Sequence, residues 1–181
     1  MFAVSDEERR RGVFTSSSGN FAQAFTYASR LVGLTPLVSV PSVASEVKKE
    51  GVRRLGGKLY DCGPTLATRL EAEERLKKGG RVYISSSTDY NVIAGQATAT
   101  KELVEDVAKL DAVIAPVSGG GVCSGACLAS HYKDKSIKVY AAEPELADDC
   151  YQSMKAGELR PHKGSKTIAE GLRVNISQTT F

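Results

Sequence analysis

The chain has 181 residues, of which 41% are hydrophobic and 25% charged, and its formal net charge is +3. This composition is typical of a globular protein with its own core. No basic stripe stands out, which argues against a nucleic-acid binder, and no apolar run reaches the roughly 18 residues that indicate a membrane span. No signal-peptide pattern occurs, and the cysteines at 62, 123, 127 and 150 lack the spacing of a disulfide framework. We therefore expect a cytoplasmic protein that binds neither nucleic acid nor membrane.

The first half of the chain alternates short apolar runs with longer helical patterns. Residues 1–11 indicate the remnant of a helix. After it, strands are predicted at 12–16, 35–41, 58–63 and 81–85, separated by helices at 20–32, 42–55 and 65–78. Helices of this length suit the crossovers of a parallel sheet, and Gly33, Gly56 and Gly79 follow them as helix-ending glycines. We expect a small α/β domain over residues 12–88.

The pattern continues in the second half. A helix at 92–109 precedes a strand at 111–117, and a helix that ends near Tyr132 precedes a strand at 137–143. Beyond Asp148 the sequence predicts irregular backbone. We expect a second α/β domain over residues 89–181 and, for the whole chain, open parallel sheets with flanking helices in a three-layer αβα arrangement.

The stretch TSSSGNFAQAFTYA places several polar residues where a strand gives way to a helix. Serine and asparagine are good N-caps, but one such residue is enough to start a helix. Ser17, Ser18 and Asn20 therefore leave two interpretations open. Either they cap the helix with more polar side chains than it needs, or this helix N-terminus binds an anion.

The stretch VSGGGVCSGA is a second candidate anion site. Three glycines follow a strand and open a helix, so backbone N–H groups can approach a phosphate closely. The alternative is a simple tight turn. No Gly-Lys-Ser/Thr follows, and the match to G-x-G-x-x-G through Gly119, Gly121 and Gly125 is loose. Together, the two helix N-termini suit a small ligand that carries a phosphate and a carboxylate or phenolate.

Two further clusters contain residue types that can bind metals. Glu143, Asp148 and Asp149 in AAEPELADDC have oxygens that suit a hard cation, but their spacing alone favours a solvated acidic loop. Cys123, Cys127 and His131 follow one helix face, where three ligands rarely converge on one metal, so we interpret them as packing residues.

Five motifs occur in the order and at the spacing found in one enzyme family: SSGN-x-x-QA-x-TYA, VIAGQ-x-T, PVSGGG, KVYAAEP-x-x-ADDCYQS and TIAEGLR. They resemble the serine racemases and the related threonine/serine ammonia-lyases, which are fold-type II (tryptophan synthase β-like) enzymes dependent on pyridoxal phosphate. The resemblance covers nearly the whole chain, and KVYAAEP-x-x-ADDCYQS is its most specific part. It implies an amino-acid substrate, a pyridoxal 5'-phosphate cofactor and, in the complete family member, a homodimer.

The resemblance also implies roles for individual residues. Ser17 and Asn20 would bind the substrate carboxylate, Asn20 would also meet the phenolic oxygen of the cofactor, and Ser18 would be an acid/base group at the substrate Cα. The phosphate would lie against Ser118, Gly119, Gly120 and Gly121, while Glu170 and Gly171 would flank the cofactor ring. Glu143, the carbonyl of Ala147 and Asp149 would bind Mg²⁺ or Ca²⁺ in a structural site.

The sequence departs from the family pattern in ways that bear on activity. Phe21 replaces a family histidine, and Ser87 replaces an asparagine near the ring. No lysine precedes Lys48, whereas the family lysine that binds the cofactor covalently lies ahead of the SSGN motif. We therefore expect a fragment without the N-terminal lysine segment and the C-terminal part, inactive alone. The alternatives are a non-catalytic truncated paralogue that binds a phosphate ligand or a full-length partner and, less favoured, a generic nucleotide-binding module.

Overall fold

The computed structural model describes residues 3–162, 164 and 166–181. These divide into two compact units, Met1–Ser85 and Ser86–Phe181, and each is described by itself. Both units consist of parallel strands with flanking helices, which confirms the predicted α/β class.

The described residues of the first unit form four strands and four helices. The strands are β1 (Val13–Ser16), β2 (Leu37–Val40), β3 (Lys58–Asp61) and β4 (Val82–Tyr83), and the helices are α1 (Asp6–Arg11), α2 (Asn20–Leu31), α3 (Glu46–Arg54) and α4 (Leu66–Lys78). The sheet is parallel with strand order β3-β2-β1-β4. Right-handed crossovers place α2 and α3 on one face of this sheet and α4 on the other, because the chain reverses its direction across the sheet between β3 and β4.

The core of the first unit lies on both faces of β1. Val13 and Phe14 are fully buried, and all four β1 residues are inaccessible or nearly so. The ring of Phe14 packs against that of Tyr83 at a tilt of 42°, with ring centroids 5.1 Å apart, while Ala22 and Phe25 are the buried apolar residues of α2. A strand that is covered on both sides in this way holds the segment after it in a defined position.

The second unit has a smaller sheet. Strands β5 (Ala112–Pro116) and β6 (Lys138–Ala142) pair in parallel, and the helices are α5 (Tyr90–Asp106), α6 (Gly121–Lys133) and α7 (Asp149–Ala156). Short 3-10 turns occur at Glu145–Ala147 and Glu170–Leu172. Helices cover one face of β5, whose Val113 and Ala115 are buried, whereas Ile114 on the opposite face is 73% exposed.

Helices α5 and α6 approach each other closely at Gly125. A Cβ atom at this position would lie 2.7 Å from the backbone nitrogen of Ala97 and 3.0 Å from the carbonyl oxygen of Ile93. Glycine here lets α6 lie against α5, and this contact fixes the helix that begins at the glycine-rich segment.

Most predicted elements are found, with boundaries shifted by a few residues, but the irregular backbone predicted after Asp148 is wrong. Residues 149–156 form α7. Its buried positions are Asp149, Cys150 and Ser153, so the helix lacks the apolar periodicity on which sequence-based prediction depends. The carboxylate of Glu143 caps its first turn instead, as described below.

Candidate functional site

The serine-rich segment before α2 is not an ordinary helix cap. Helix α2 begins at Asn20 with Gly19 as its N-cap residue, and Gly19 has no side chain with which to cap it. The hydroxyl of Ser17 instead accepts the backbone N–H of Gly19 at 3.3 Å. In that role Ser17 still has its own O–H proton to donate. This hydroxyl can therefore still donate to an anion, and the anion-binding interpretation of the segment stays a prediction.

The start of this segment is held by the sheet. The backbone N–H of Ser17 donates to the carbonyl of Ser39 on β2 at 3.1 Å. Ser17 and Ser18 are partly exposed and Asn20 is exposed. The structure therefore presents the two predicted carboxylate-binding residues and the predicted acid/base residue Ser18 at the carboxyl end of β1, with polar groups accessible, which is where ligands bind in open α/β sheets.

The glycine-rich residues 118–121 form a concave turn at the start of α6, which we call the cradle. Gly120 is the N-cap residue and has φ +94°, in the left-handed region that side chains rarely adopt. Like Gly19, it has no side-chain cap to offer. Because α6 has the N–H groups of its first turn at this end, the geometry suits a phosphate.

Close packing around the cradle explains why glycine occurs here. A Cβ on Gly120 would lie 2.2 Å from Oγ1 of Thr180, and one on Gly121 would lie 2.5 Å from the carbonyl oxygen of Ser86. Thr180 also donates from Oγ1 to the carbonyl of Gly119 at 2.7 Å. Sequence analysis did not find Thr180, because this contact joins residues that are 61 positions apart.

The hydroxyl of Ser118 connects the cradle to a second predicted site segment. It donates to the carbonyl of Val174 at 2.8 Å and accepts the N–H of Val174 at 3.0 Å. These bonds bring the chain just after Gly171, which is exposed on its 3-10 turn, next to the cradle. Since its hydroxyl is engaged in this way, Ser118 would approach a phosphate through its backbone.

The predicted cation-binding residues lie around the start of α7. The carboxylate of Glu143 accepts the N–H groups of Cys150 at 3.2 Å and Tyr151 at 2.6 Å, and so caps the helix from a distance. Burial raises the pKa of Glu143, and Asp149 and Asp148 raise it further, against the two N–H donors. A cation would relieve this repulsion, so the donor set of two carboxylates and the buried Ala147 suits a hard ion.

Asp149 itself is engaged in the fold. Its Oδ2 accepts the N–H of Ile176 at 2.6 Å, and its side chain is 3% exposed. Among the described residues, no three histidine, cysteine, aspartate or glutamate side chains cluster closely enough to hold a metal. The predicted site uses only two such side chains and a carbonyl, so it stays a prediction.

Phe21 and Ser87, which depart from the family pattern, and Cys123 each lie against neighbouring residues of the fold. The ring of Phe21 lies 6.3 Å from that of Phe25 on the same helix, and Ser87 lies beside Gly119, 3.0 Å from the position of its absent Cβ. Cys123 packs against Val117, Cys150 and Ile176, as expected for a packing residue.

Within the described residues, no helix is long and apolar enough to cross a membrane.

Comparison with known proteins decides the family. The profile described as "Pyridoxal-phosphate dependent enzyme" matches residues 1–181. The chain belongs to this family. It is 43% identical over its whole length to "beta-hydroxyaspartate dehydratase" of Paracoccus denitrificans (strain Pd 1222), of which it covers 58%, and 40% identical, again over its whole length, to the serine racemase of Dictyostelium discoideum, of which it covers 57%.

Solved structures agree with this family assignment. The chain matches the structure of maize serine racemase with a TM-score of 0.95 at 37% identity, covering 99% of this chain and 55% of that one. The recognised family and the fold-type II architecture are thereby confirmed, and pyridoxal phosphate is the cofactor of the family. The chain spans about half the length of the relatives it matches.

Proposed function

We propose that the protein acts as a serine racemase, as an L-serine or L-threonine ammonia-lyase, or as both. The observation that carries this proposal is the glycine cradle at the start of α6, with Gly120 in a left-handed conformation that suits a phosphate. The family match supports the same cofactor. We further propose residues 12–88 as the small domain, residues 89–181 as part of the large domain and a homodimer as the complete protein.

Bound pyridoxal phosphate supplies an electron sink for the charge that develops when the substrate Cα loses its proton. The backbone N–H groups of Ser118, Gly119, Gly120 and Gly121 hold the phosphate, and Gly171 flanks the ring. The hydroxyl of Ser17 and the amide of Asn20 bind the substrate carboxylate, and Asn20 also binds the phenolic oxygen. The hydroxyl of Ser18 takes or returns the proton at Cα.

The substrate class is a small amino acid with a hydroxyl on Cβ. Serine, threonine and β-hydroxyaspartate share this group, and two of the three appear in the names of relatives at 40–43% identity. After Cα is deprotonated, loss of the hydroxyl as water leaves an unsaturated amino acid, whose imine tautomer is hydrolysed by water to an oxo acid and ammonia. Return of a proton on the other face gives inversion instead. In an active protein we expect Ser18→Ala to suppress inversion more than ammonia release, since only inversion needs a second proton carrier.

We propose that the 181-residue chain alone has no useful turnover. Covalent attachment of the cofactor needs a lysine, and no lysine precedes Lys48. The second candidate function is a non-catalytic one, a paralogue that binds a phosphate ligand or a full-length partner. A phosphate held by the backbone N–H groups of residues 118–121 fits this candidate as well, whereas the family match favours the enzyme.

Titration of the purified chain with pyridoxal phosphate tests the phosphate site that both candidates share. Borohydride treatment followed by mass spectrometry locates any lysine that becomes covalently attached, and chiral chromatography with an oxo-acid assay measures turnover of L-serine. Saturable binding without attachment or turnover is the result that we expect of the 181-residue chain under both candidates. Turnover gained on adding the lysine-bearing N-terminal segment and the C-terminal part of the family then distinguishes the enzyme from the non-catalytic paralogue. Steady turnover, with contaminating full-length enzyme excluded by mass, shows that a lysine at position 48 or later supports catalysis. An absence of saturable binding overturns both candidates.

A further inference from the structure

A guanidinium group lies against the end of β1. Nε of Arg69, on α4, lies 2.8 Å from the hydroxyl oxygen of Ser16, and Nη2 lies 3.0 Å from its carbonyl oxygen. Ser16 is the last residue of β1 and is 4% exposed. Arg69 thus binds both oxygens of the residue directly before the segment 17–20.

The shortness of β4 explains why this carbonyl is available to Arg69. The ladder between β1 and β4 pairs Val13 with Val82 and Phe14 with Tyr83, and the N–H of Ile84 donates to the carbonyl of Phe14 at 2.8 Å. Carbonyls two residues apart in a strand point to the same side, so the carbonyl of Ser16 points past the end of β4. A buried carbonyl without a donor is costly, and Arg69 supplies the donor.

Glu73 holds the guanidinium in place. Its Oε1 lies 3.1 Å from Nε of Arg69, and the side chains are 28% exposed for Arg69 and 9% for Glu73. In this pair the cation precedes the anion by four residues, which is the less favourable order for an isolated helix. The pair is therefore better explained by the contact of Arg69 with Ser16, which Glu73 orients, than by stabilisation of α4.

We propose that Arg69 is a positioning residue, which fixes the end of β1 and through it the segment 17–20. This proposal rests on the proposed function only where it gives the segment 17–20 a role in substrate binding. That Arg69 fixes the position of the segment is a statement about the chain without cofactor or substrate. From the β2 side, Ser17 is already held through its N–H to Ser39; Arg69 holds the preceding residue from the β4 side. Gly19 provides no side-chain cap for α2. The position at which the segment 17–20 begins is therefore fixed by the bond from Ser17 to Ser39 and by the bonds from Arg69 to Ser16.

Amide hydrogen exchange on the full 181-residue chain, without cofactor or substrate, tests the proposal. Arg69→Met keeps much of the aliphatic length and removes every donor, whereas Arg69→Lys keeps the charge and loses the planar fork. Glu73→Gln keeps Arg69 but weakens the group that orients it. Arg75→Met is the matched control, because Arg75 is exposed on the same helix.

We expect the amide of Ser17 to exchange at least tenfold faster in Arg69→Met, with smaller increases in Arg69→Lys and Glu73→Gln and none in Arg75→Met. Amides of β3 should keep their rates. A uniform increase over the whole sheet, in proportion to lost global stability, or an unchanged rate at Ser17 would overturn the proposal. If Arg69→Met does not fold, Arg69→Lys and Glu73→Gln decide by the same comparison. Because neither cofactor nor turnover enters the measurement, failure of the proposed function leaves this test intact.

Discussion

Asp149 accepts the backbone N–H of Ile176 at 2.6 Å and so ties the start of α7 to a segment 27 residues later. Its other oxygen, Oδ1, lies 3.7 Å from Nε2 of His162. Nδ1 of His162 accepts the N–H of Gly164 at 3.2 Å, so in the neutral ring Nε2 carries the proton and faces the carboxylate. Asp149 therefore has a structural role, whether or not it also binds a cation.

The first prediction concerns this link. Asp149→Ala should lower the free energy of unfolding by about 1.5–3 kcal/mol, because it leaves a buried N–H without its charged acceptor. Urea denaturation of the full chain measures the change. Asp148→Ala is the matched control, since the partner of Asp148 is the exposed side chain of Gln152, and it should change stability by no more than about 0.5 kcal/mol. Equal effects of the two substitutions would contradict the structural role.

The second prediction concerns the proposed cation. Millimolar Mg²⁺ or Ca²⁺ should raise the melting temperature, because an ion that binds only the folded chain stabilises it by mass action. Glu143→Gln should abolish the increase, while Glu145→Gln, which alters an exposed neighbouring carboxylate, should preserve it. The quantity to compare is the increase caused by the ion, because Glu143→Gln also weakens the cap on α7. If neither ion changes the melting temperature, the cation site is contradicted and Glu143 keeps only its role as the cap of α7.

The third prediction concerns the cradle. Gly120→Val should abolish binding of pyridoxal phosphate, measured by absorbance or fluorescence titration, since the side chain would collide with Thr180 and strain a φ of +94°, and so distort the cradle. Gly157→Val is the matched control. Gly157 is also left-handed, with φ +70°, but a Cβ there meets open space, so this variant should lose some stability and keep its affinity for the cofactor.

A companion variant separates collision from strain at the cradle. Gly120→Ala places one methyl group against the side chain of Thr180, and adding Thr180→Gly removes that whole side chain while the strained φ at position 120 remains. If the double variant regains affinity, steric contact is the main cause of the loss. Unchanged affinity in Gly120→Val itself would remove this segment from the site.

The sequence predicts the parts of this fold that depend on local patterns. Alternating apolar runs and helices identified the parallel sheets, and three consecutive glycines after a strand identified the start of α6. It did not predict α7, whose first turn is capped by Glu143 from outside the helix. Nor did it find Arg69, because Ser16 lies 53 positions away from it. Contacts over such separations depend on how the strands are ordered in space, and no local pattern records that order.

The fourth prediction concerns the reactivity of Cys123. Burial raises the pKa of this thiol to about 11, and the neighbouring Cys127 and Cys150 add to the effect. At pH 8 it should therefore react with iodoacetamide about a hundredfold more slowly than a thiol with the ordinary pKa, since only the thiolate reacts. Mass spectrometry of the Cys123 peptide measures the rate, and the same peptide alkylated in urea is the control. A rate that levels off near pH 9 would show that the thiol is not shielded.

The same shift makes stability depend on pH in a stated direction. Because the folded chain keeps the proton on Cys123 up to about pH 11 and the unfolded chain releases it near the ordinary thiol value, the folded state binds more protons between these limits. The free energy of unfolding therefore falls as pH rises through this interval. The contribution of Cys123 is fully present below the unfolded pKa. Cys123→Ser should flatten the decline, because a serine hydroxyl does not titrate there, and an equally steep decline in that variant would assign the pH dependence to other groups.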